Sequence, residues 1–165
     1  GDKELVNIYS KLGVSTEFVE NQSRIILKKD KNIDLPVNLN LNLTRNPDIA
    51  QTIAVTCFGL GISCDLYGLH TLKIKETDRL LALQKELQKL GAKVNITENS
   101  LHLLPSSQIK DNVSIDTYND HRMAMAFAPL ALYVPISINN PDVVTKSYKN
   151  FWKDLEAISF KISEK

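Results

Sequence analysis

KIKETDRLLALQKELQKLGAKV, from Lys73 to Val94, is the stretch that predicts the central helix of this chain. Its apolar side chains recur at the period of an α-helix, about 3.6 residues, and are Leu80, Leu83, Leu87 and Leu90. Gly91 follows at the position where a left-handed C-terminal cap is expected. The pattern predicts an amphipathic helix over residues 77–90 that buries its leucine face.

The beginning of this helix carries an unusual set of charges. Thr77 is the predicted N-cap, with Asp78 in the first turn. Lys75 and Arg79 lie close by, although positive charge near a helix N-terminus opposes the helix dipole. Either Glu76 and Asp78 neutralise these cations locally, or the cations bind an anionic ligand there.

A second stretch, TYNDHRMAMAFAPLAL from Thr117 to Leu132, has a similar arrangement. It places Asp120, His121 and Arg122 at the beginning of an apolar helix. Pro129 lies inside that helix and should kink it or shift its hydrogen bonding, because proline lacks a backbone N–H.

The predicted elements repeat along the chain. In order they are helix 4–12, strands 14–20 and 24–28, strand 38–43, helix 49–60, strand 62–67, helix 77–90, strands 93–97 and 100–103, strand 113–115, helix 121–133, strand 136–138 and helix 148–158. Gly13 aligns with Gly91, Asp48 with Asp120, and Lys73 with Lys146, at offsets of roughly 72 to 78 residues. We therefore expect an α/β fold of tandem βαβαββ repeats, which pack parallel buried helices against sheets in a single globular domain over residues 1–165.

Composition limits the classes of function. With 165 residues and 43% apolar content, the chain can bury a sizeable core. Twenty basic against nineteen acidic residues do not indicate a nucleic-acid partner. The apolar runs are too short for a membrane span, and no signal-peptide pattern opens the chain. Cys57 and Cys64 resemble buried thiols, and the histidines share no metal-ligand spacing with them. We expect a cytoplasmic protein with no metal site and no cofactor.

If the repeated helices are parallel, their N-terminal ends lie on one face. The residues gathered there would be Asp48, Lys75, Glu76, Arg79, Asp120, His121 and Arg122, with Lys146 nearby. Four cations at such a place suit a small, multiply charged anion. The alternative is that the two aspartates only cap helices and the arginines pair with neighbouring acids.

KIKETDRLLAL and YNDHRMAMAFAPLAL together closely resemble the 5-enolpyruvylshikimate-3-phosphate synthase family. A third stretch, VVTKSYKNFWKDLEAI from Val143 to Ile158, resembles the C-terminal segment of that family. The resemblance runs from about Lys3 to the end of the chain and covers only the C-terminal part of such an enzyme. It implies an enolpyruvyl transferase-like domain, an inverse α/β barrel, whose partner is a missing N-terminal domain of the same enzyme.

The resemblance also implies an activity, which is transfer of the enolpyruvyl group of phosphoenolpyruvate to the 5-hydroxyl of shikimate 3-phosphate. This reaction of the shikimate pathway leads to chorismate and the aromatic amino acids. By position in the matched motifs, the phosphoenolpyruvate ligands are Arg79, Arg122 and Lys146, and the shikimate 3-phosphate ligands are Asp48, Thr71 and Lys75. Asp48 would accept the hydroxyl proton, and Glu76 would exchange a proton with the methylene carbon. Asp120 and His121 belong to the motif as supporting residues.

Two alternatives to this function remain at the level of sequence. One is a UDP-N-acetylglucosamine enolpyruvyl transferase, which shares the fold, and the other is a non-catalytic anion-binding module. Thr71 departs from the asparagine that many family members carry, which puts one hydrogen bond to the sugar acid in doubt. Because half of the site is absent, we expect the 165 residues alone to be inactive.

Overall fold

The computed structural model describes residues 3–30, 32–75 and 77–164. The α-helices in these ranges are α1 (Glu4–Ser10), α2 (Ala50–Gly59), α3 (Arg79–Lys89), α4 (His121–Phe127) and α5 (Phe151–Ala157). The β-strands are β1 (Val14–Val19), β2 (Arg24–Lys29), β3 (Asn38–Asn42), β4 (Ser63–Tyr67), β5 (Val94–Ile96), β6 (Ser100–Leu103), β7 (Val113–Ile115) and β8 (Ile136–Ile138). The predicted α/β class is confirmed.

The predicted repeat is present in the topology. The unit β3–α2–β4–α3–β5–β6 has the order βαβαββ and forms one sheet with strand order β3-β4-β6-β5. In this sheet β3 pairs parallel with β4, whereas β6 pairs antiparallel with both β4 and β5. The next unit starts in the same way, because β7 and β8 are also parallel and are connected through α4. The antiparallel pair β1–β2 corresponds to the closing hairpin of such a unit.

Short 3₁₀ segments are part of the repeat. One of them, His70–Ile74, lies between β4 and α3, and another, Pro141–Lys146, lies between β8 and α5. Lys73 and Lys146 therefore occupy equivalent segments, as their alignment predicts. A third segment, Pro47–Ile49, leads into α2 and carries Asp48.

The core lies around α2 and the inner face of α3. On α2, Ala50, Ile53, Ala54, Cys57 and Phe58 are almost completely buried, in agreement with a helix that is apolar nearly all round. The four leucines predicted for the buried face of α3 have no exposed surface. Burying each such side chain contributes about 1.5–3 kcal/mol, so this face anchors α3 and with it the residues at its beginning. Both cysteines are buried free thiols, as expected.

Gly91 ends α3 as predicted. Its φ is +98°, in the left-handed region. The Gly91 N–H donates to Gln88 O and the Ala92 N–H to Leu87 O, both at 3.0 Å, which is the Schellman arrangement. Two of the carbonyl groups left over at this helix end, those of Leu87 and Gln88, are thereby satisfied.

Several predicted boundaries are wrong. The N-cap of α3 is Asp78, whose carboxylate accepts from the Leu81 N–H at 3.0 Å, and not Thr77. The helix predicted over 121–133 changes after Phe127 into the 3₁₀ helix Ala128–Leu132, because Pro129 cannot donate to the α-helical ladder. The last helix begins at Phe151 instead of 148. Within the described ranges, no helix has both the length and the apolar character that crossing a membrane requires.

Candidate active site

Arg79 joins the beginnings of three helical segments. It is the first residue of α3 and is only 2% exposed. Its Nη1 donates to Asp48 Oδ1 at 2.8 Å, while Nε and Nη2 donate to the two carboxylate oxygens of Asp120 at 2.5 and 3.3 Å. Since Asp48 precedes α2 and Asp120 caps α4, this one guanidinium brings together the residues that the sequence predicted would meet.

Asp120 combines two roles. Its side chain has no exposed surface and accepts the Arg122 N–H at 2.9 Å, so it is a helix cap as well as the partner of Arg79. The helix cap and the pairing with an arginine, one interpretation drawn from the sequence, are therefore confirmed, while a part in an anion site stays a prediction. Charge-assisted, two-point pairing of this kind holds the planar arginine in one orientation.

Gln51 is a site residue that the sequence analysis missed. It lies on α2 with 1% exposure, and its Nε2 is 3.5 Å from Asp120 Oδ2. Its Oε1 is buried and has no hydrogen-bond partner among the described residues. The available signal was the one amide side chain in a largely apolar helix, three residues after Asp48.

Asp48 and Lys75 form the more exposed part of the site. Lys75 Nζ is 3.2 Å from Asp48 Oδ1, and the two side chains are 33% and 36% exposed. The Asp48 carboxylate therefore lies between Lys75 and Arg79 and is reachable from solvent. An exposed carboxylate flanked by two cations can accept a hydrogen bond from a ligand hydroxyl while the cations face an anionic group.

Arg122 and Lys146 differ from the other cations of the site. Arg122 Nη1 donates to the backbone oxygen of Asp48 at 3.2 Å, and Lys146 Nζ donates to the backbone oxygen of Asn119 at 2.8 Å. Among the described residues, neither side chain has a carboxylate partner. Backbone carbonyls hold these two cations in place without neutralising their charge, so both can bind an anion.

The remaining predicted residues have different outcomes. His121 Nδ1 is 4.0 Å from Asp120 Oδ1, which is beyond hydrogen-bond distance. Thr71 lies in the segment His70–Ile74, and its hydroxyl is buried without a hydrogen-bond partner in the described part of the chain. Glu76, the predicted proton-exchanging acid, lies outside the described residues.

Comparison with known proteins identifies the family of the chain. The profile of EPSP synthase (3-phosphoshikimate 1-carboxyvinyltransferase) matches residues 1–155. The chain belongs to the EPSP synthase family. The resemblance drawn from the motifs KETDR and YNDHR is thus confirmed.

Individual relatives agree with the family but are longer. The chain is 40% identical over 165 positions to the 3-phosphoshikimate 1-carboxyvinyltransferase of Bacteroides fragilis strain YCH46, covering 98% of this chain and 39% of that protein. It is 33% identical to the enzyme of the same name from Neisseria meningitidis serogroup C, covering 92% of this chain and 35% of that protein. The chain therefore spans less than half the length of these curated relatives.

Solved structures support the fold. The chain matches an EPSP synthase from Acinetobacter baumannii with a TM-score of 0.65 and 21% identity, covering 81% of this chain and 32% of that one. It matches the enolpyruvyl transferase NikO from Streptomyces tendae with a TM-score of 0.66 and 14% identity, covering 95% of this chain and 35% of that one. At such identities the likeness concerns the fold alone.

Proposed function

We propose that residues 1–165 form a single domain, the C-terminal part of a two-domain 3-phosphoshikimate 1-carboxyvinyltransferase. The observation that carries this proposal is the pair Arg122 and Lys146, two cations held by backbone carbonyls beside the Asp48–Lys75 pair. In a chain of the EPSP synthase family, such a site suits phosphoenolpyruvate and shikimate 3-phosphate, since each substrate carries a phosphate and a carboxylate. The family match favours these substrates over a UDP-amino sugar.

The cations have different parts in this proposal. Arg122 and Lys146 bind phosphoenolpyruvate directly, and Lys75 faces the phosphate of shikimate 3-phosphate. Arg79 already donates to two aspartates and is buried, so it contributes positive charge beneath phosphoenolpyruvate and fixes Asp48. Thr71 is the third residue proposed for shikimate 3-phosphate, whose ring hydroxyls can satisfy its buried hydroxyl. Asp120 supports the site by accepting the Arg122 N–H, and His121, the residue between them, is the second supporting residue of the proposal.

The chemistry proceeds by addition and then elimination. In the addition, the 5-hydroxyl oxygen forms a bond to C2 of phosphoenolpyruvate, its proton passes to Asp48, and C3 gains a proton from Glu76. In the elimination, the bond between C2 and the phosphate oxygen breaks, C3 returns a proton to Glu76, and the leaving phosphate takes the proton that Asp48 had accepted, so both carboxylates return to their starting state. The role of Asp48 rests on its exposure and contacts, whereas that of Glu76 rests on the motif alone.

The proposed partner is the N-terminal domain of the same enzyme. Two anionic substrates that repel each other need cations on more than one side, and a solvated site weakens every charge contact. The described residues provide one such wall. We therefore propose that catalysis requires the domain that the longer relatives carry in addition.

Titration of this 165-residue chain with phosphoenolpyruvate tests the proposed site. Binding should be near millimolar, about −4 kcal/mol, and should weaken as salt is added. Arg122→Gln and Lys146→Gln should each abolish measurable binding, whereas Lys153→Gln, a change at an exposed lysine of α5, should leave it unaltered. A wild-type chain that binds no phosphoenolpyruvate, even after the salt concentration of the titration is reduced tenfold, would contradict the proposal. Binding without phosphate release after the N-terminal part and shikimate 3-phosphate are added would favour the non-catalytic anion module.

A further inference from the structure

The segment leading into α4 has a strained backbone. Tyr118 and Asn119 are consecutive residues with φ of +53° and +56°, in the left-handed region. Asparagine tolerates this region better than most residues, but tyrosine does not. Two adjacent left-handed residues persist only where surrounding contacts hold them, and such strain concentrates at functional sites.

This conformation places groups of the site on both sides of the strained residues. The carbonyl of Asn119 accepts Lys146 Nζ at 2.8 Å. The next residue, Asp120, directs its carboxylate to Arg79 and to the Arg122 N–H. A more relaxed backbone at residues 118 and 119 would move both acceptors and, with them, the cations that they position.

The contacts that hold the segment come from Glu86, a completely buried residue of α3. Its Oε1 accepts from the Tyr118 hydroxyl at 2.7 Å, and its Oε2 accepts from the Asp116 N–H at 3.1 Å. Lys89 Nζ is 2.8 Å from Glu86 Oε2 and 2.7 Å from Asp116 Oδ2. We name Glu86, Lys89, Asp116 and Tyr118 the Glu86 cluster.

The opposite side of the segment is held as well. Asn139 Nδ2 donates to Asp116 Oδ1 at 2.6 Å, and the Thr117 hydroxyl donates to the Asn139 carbonyl at 3.0 Å. Burial and the bond to Glu86 raise the pKa of Tyr118, so its hydroxyl remains a donor at neutral pH. Hydrogen bonds therefore hold the segment to α3 on one side and to Asn139, the residue that follows β8, on the other.

One helix carries both of the contacts that matter. Arg79 and Glu86 are seven residues apart on α3, close to two turns, so they lie on nearly the same face and roughly 10 Å apart along the axis. Arg79 binds Asp120, while Glu86 binds Tyr118 two residues earlier. The buried leucine face of α3 makes this pair of anchor points rigid.

We propose that Glu86 and Tyr118 are positioning residues of the anion site. They contact no ligand, but hold residues 118 and 119 in the left-handed conformation that directs the Asn119 carbonyl to Lys146 and the Asp120 carboxylate to the Arg79 guanidinium and the backbone N–H of Arg122. This inference rests on the proposed function, because it assigns these cations to phosphate or carboxylate binding. Tyr118 opens the motif YNDHR, but neither it nor Glu86 was among the site residues predicted from the motifs.

Tyr118→Phe is the main test, because it removes one hydroxyl and keeps the ring. We expect the variant to fold, and we expect its dissociation constant for phosphoenolpyruvate to rise about tenfold, because without the hydrogen bond to Glu86 the segment occupies its binding-competent conformation less often. The Arg79 Nε–H, which donates to Asp120, should exchange with solvent faster in nuclear magnetic resonance spectra, while the core amides of α3 keep their exchange rates. If Tyr118 only stabilised the fold, the difference in Arg79 Nε–H exchange between variant and wild type would vanish when both are measured below the unfolding midpoint.

Tyr9→Phe is the matched control. The Tyr9 hydroxyl is 2.6 Å from Thr56 Oγ1, so the same group is lost from a part-buried contact between α1 and the later part of α2. It should change neither the affinity nor the Arg79 exchange rate. Glu86→Gln keeps one acceptor for Tyr118 and should retain more affinity than Glu86→Leu.

The outcomes separate this inference from the proposed function. Wild-type affinity and wild-type Arg79 exchange in folded Tyr118→Phe would overturn the positioning role. If the wild-type chain binds no phosphoenolpyruvate, the proposed function fails, and the exchange rate of the Arg79 Nε–H alone decides whether Tyr118 holds Asp120.

Discussion

At the scale of single residues, the Arg79–Asp120 pair has the largest expected effect on stability. Both side chains are buried, and removing the Asp120 charge leaves the Arg79 guanidinium with the partly exposed Asp48 as its remaining aspartate partner, so much of the buried positive charge loses its compensation. Asp120→Asn keeps an acceptor for the Arg122 N–H, because asparagine is also a good N-cap, so the change isolates the lost charge. We expect the free energy of unfolding in urea to fall by about 3 kcal/mol.

A matched change at an exposed acid serves as the control. Asp142 lies in the segment Pro141–Lys146, and Asp142→Asn should alter the free energy of unfolding by less than about 0.5 kcal/mol. If Asp120→Asn and Asp142→Asn had equal effects, the buried pair would contribute no more than a surface charge.

Glu76 is the residue whose proposed role is purely chemical. In the enzyme assembled with its N-terminal domain, Glu76→Gln should lower turnover about 10²–10⁴-fold with little change in KM, because the shape is kept and the proton is lost. Glu98→Gln, a change at a 92% exposed acid that pairs with Lys73, should leave turnover unaltered. Turnover of Glu76→Gln within threefold of wild type would refute the acid–base role.

The sequence predicted individual residues well where charge was unexpected. The charge of Arg79 at a helix N-terminus opposes the helix dipole, whereas that of Asp120 before an apolar helix is favoured by it. The two side chains do meet. Gln51 on the apolar helix α2 and Glu86 on the amphipathic helix α3 were missed, since a buried polar residue has no identifiable partner until the fold supplies one. The capping error at Thr77 arose because Asp78, one residue later, caps equally well.

At the scale of elements, a polar contact reinforces the pairing of β4 with β6. Asp65 and His102 are register partners, and His102 Nδ1 is 2.6 Å from Asp65 Oδ1. Hydrogen bonds from His102 and from Asn38 hold the pKa of Asp65 below its ordinary value. The unfolded chain, in which Asp65 titrates at about pH 3.9, therefore binds more protons than the folded chain does as the pH falls towards that value.

The resulting pH dependence has a definite sign. The stability contributed by ionised Asp65 is fully present above about pH 5 and is lost as the pH falls through its lowered pKa. Wild type should melt at a higher temperature than Asp65→Asn at pH 7, and this difference should shrink towards about pH 3. Calorimetric scans across this range measure it. Asp111→Asn, at an exposed acid, should show a small difference at every pH, and a constant gap for Asp65→Asn would contradict the coupling.

Elements were predictable where periodicity was strong. The leucine repeat of α3 and the alternation in β3 gave both type and position, because each buries one face. The 3₁₀ segment Pro141–Lys146 was not predicted, since three-residue hydrogen bonding leaves no apolar period in so short a stretch. The break in helix 121–133 was anticipated from Pro129 only as a kink or shift.

At the scale of the whole molecule, a large buried core stabilises the fold, whereas one apolar groove stays exposed to solvent. One cluster of buried residues runs from α1 through α2 and α3 to α4, which is sufficient for cooperative folding. The hairpin β1–β2 and α1, however, line an apolar groove of about 640 Å³, where Phe18, Ile25 and Leu27 are 49%, 59% and 67% exposed. This surface was not predicted, because the alternation of β1 and β2 does not show which face the rest of the fold covers.

We therefore expect the 165-residue chain to fold but not to catalyse. The core described above supports a single thermal transition. Because the groove leaves apolar surface in water, we expect it to lower the melting temperature while the transition remains cooperative. Turnover is not expected, because Arg122 and Lys146 remain solvated on one wall, and water is excluded from the tetrahedral intermediate only when two domains close.

The measurement is phosphate release with both substrates, by the chain alone and after addition of the separately expressed N-terminal part. Turnover by the chain alone at about 10 s⁻¹, the level of ordinary enzymes, would show that these residues contain a complete site. Activity that appears only when the two parts are mixed, and that is lost with Arg122→Gln, would place the reaction between two domains and assign one wall of it to this chain.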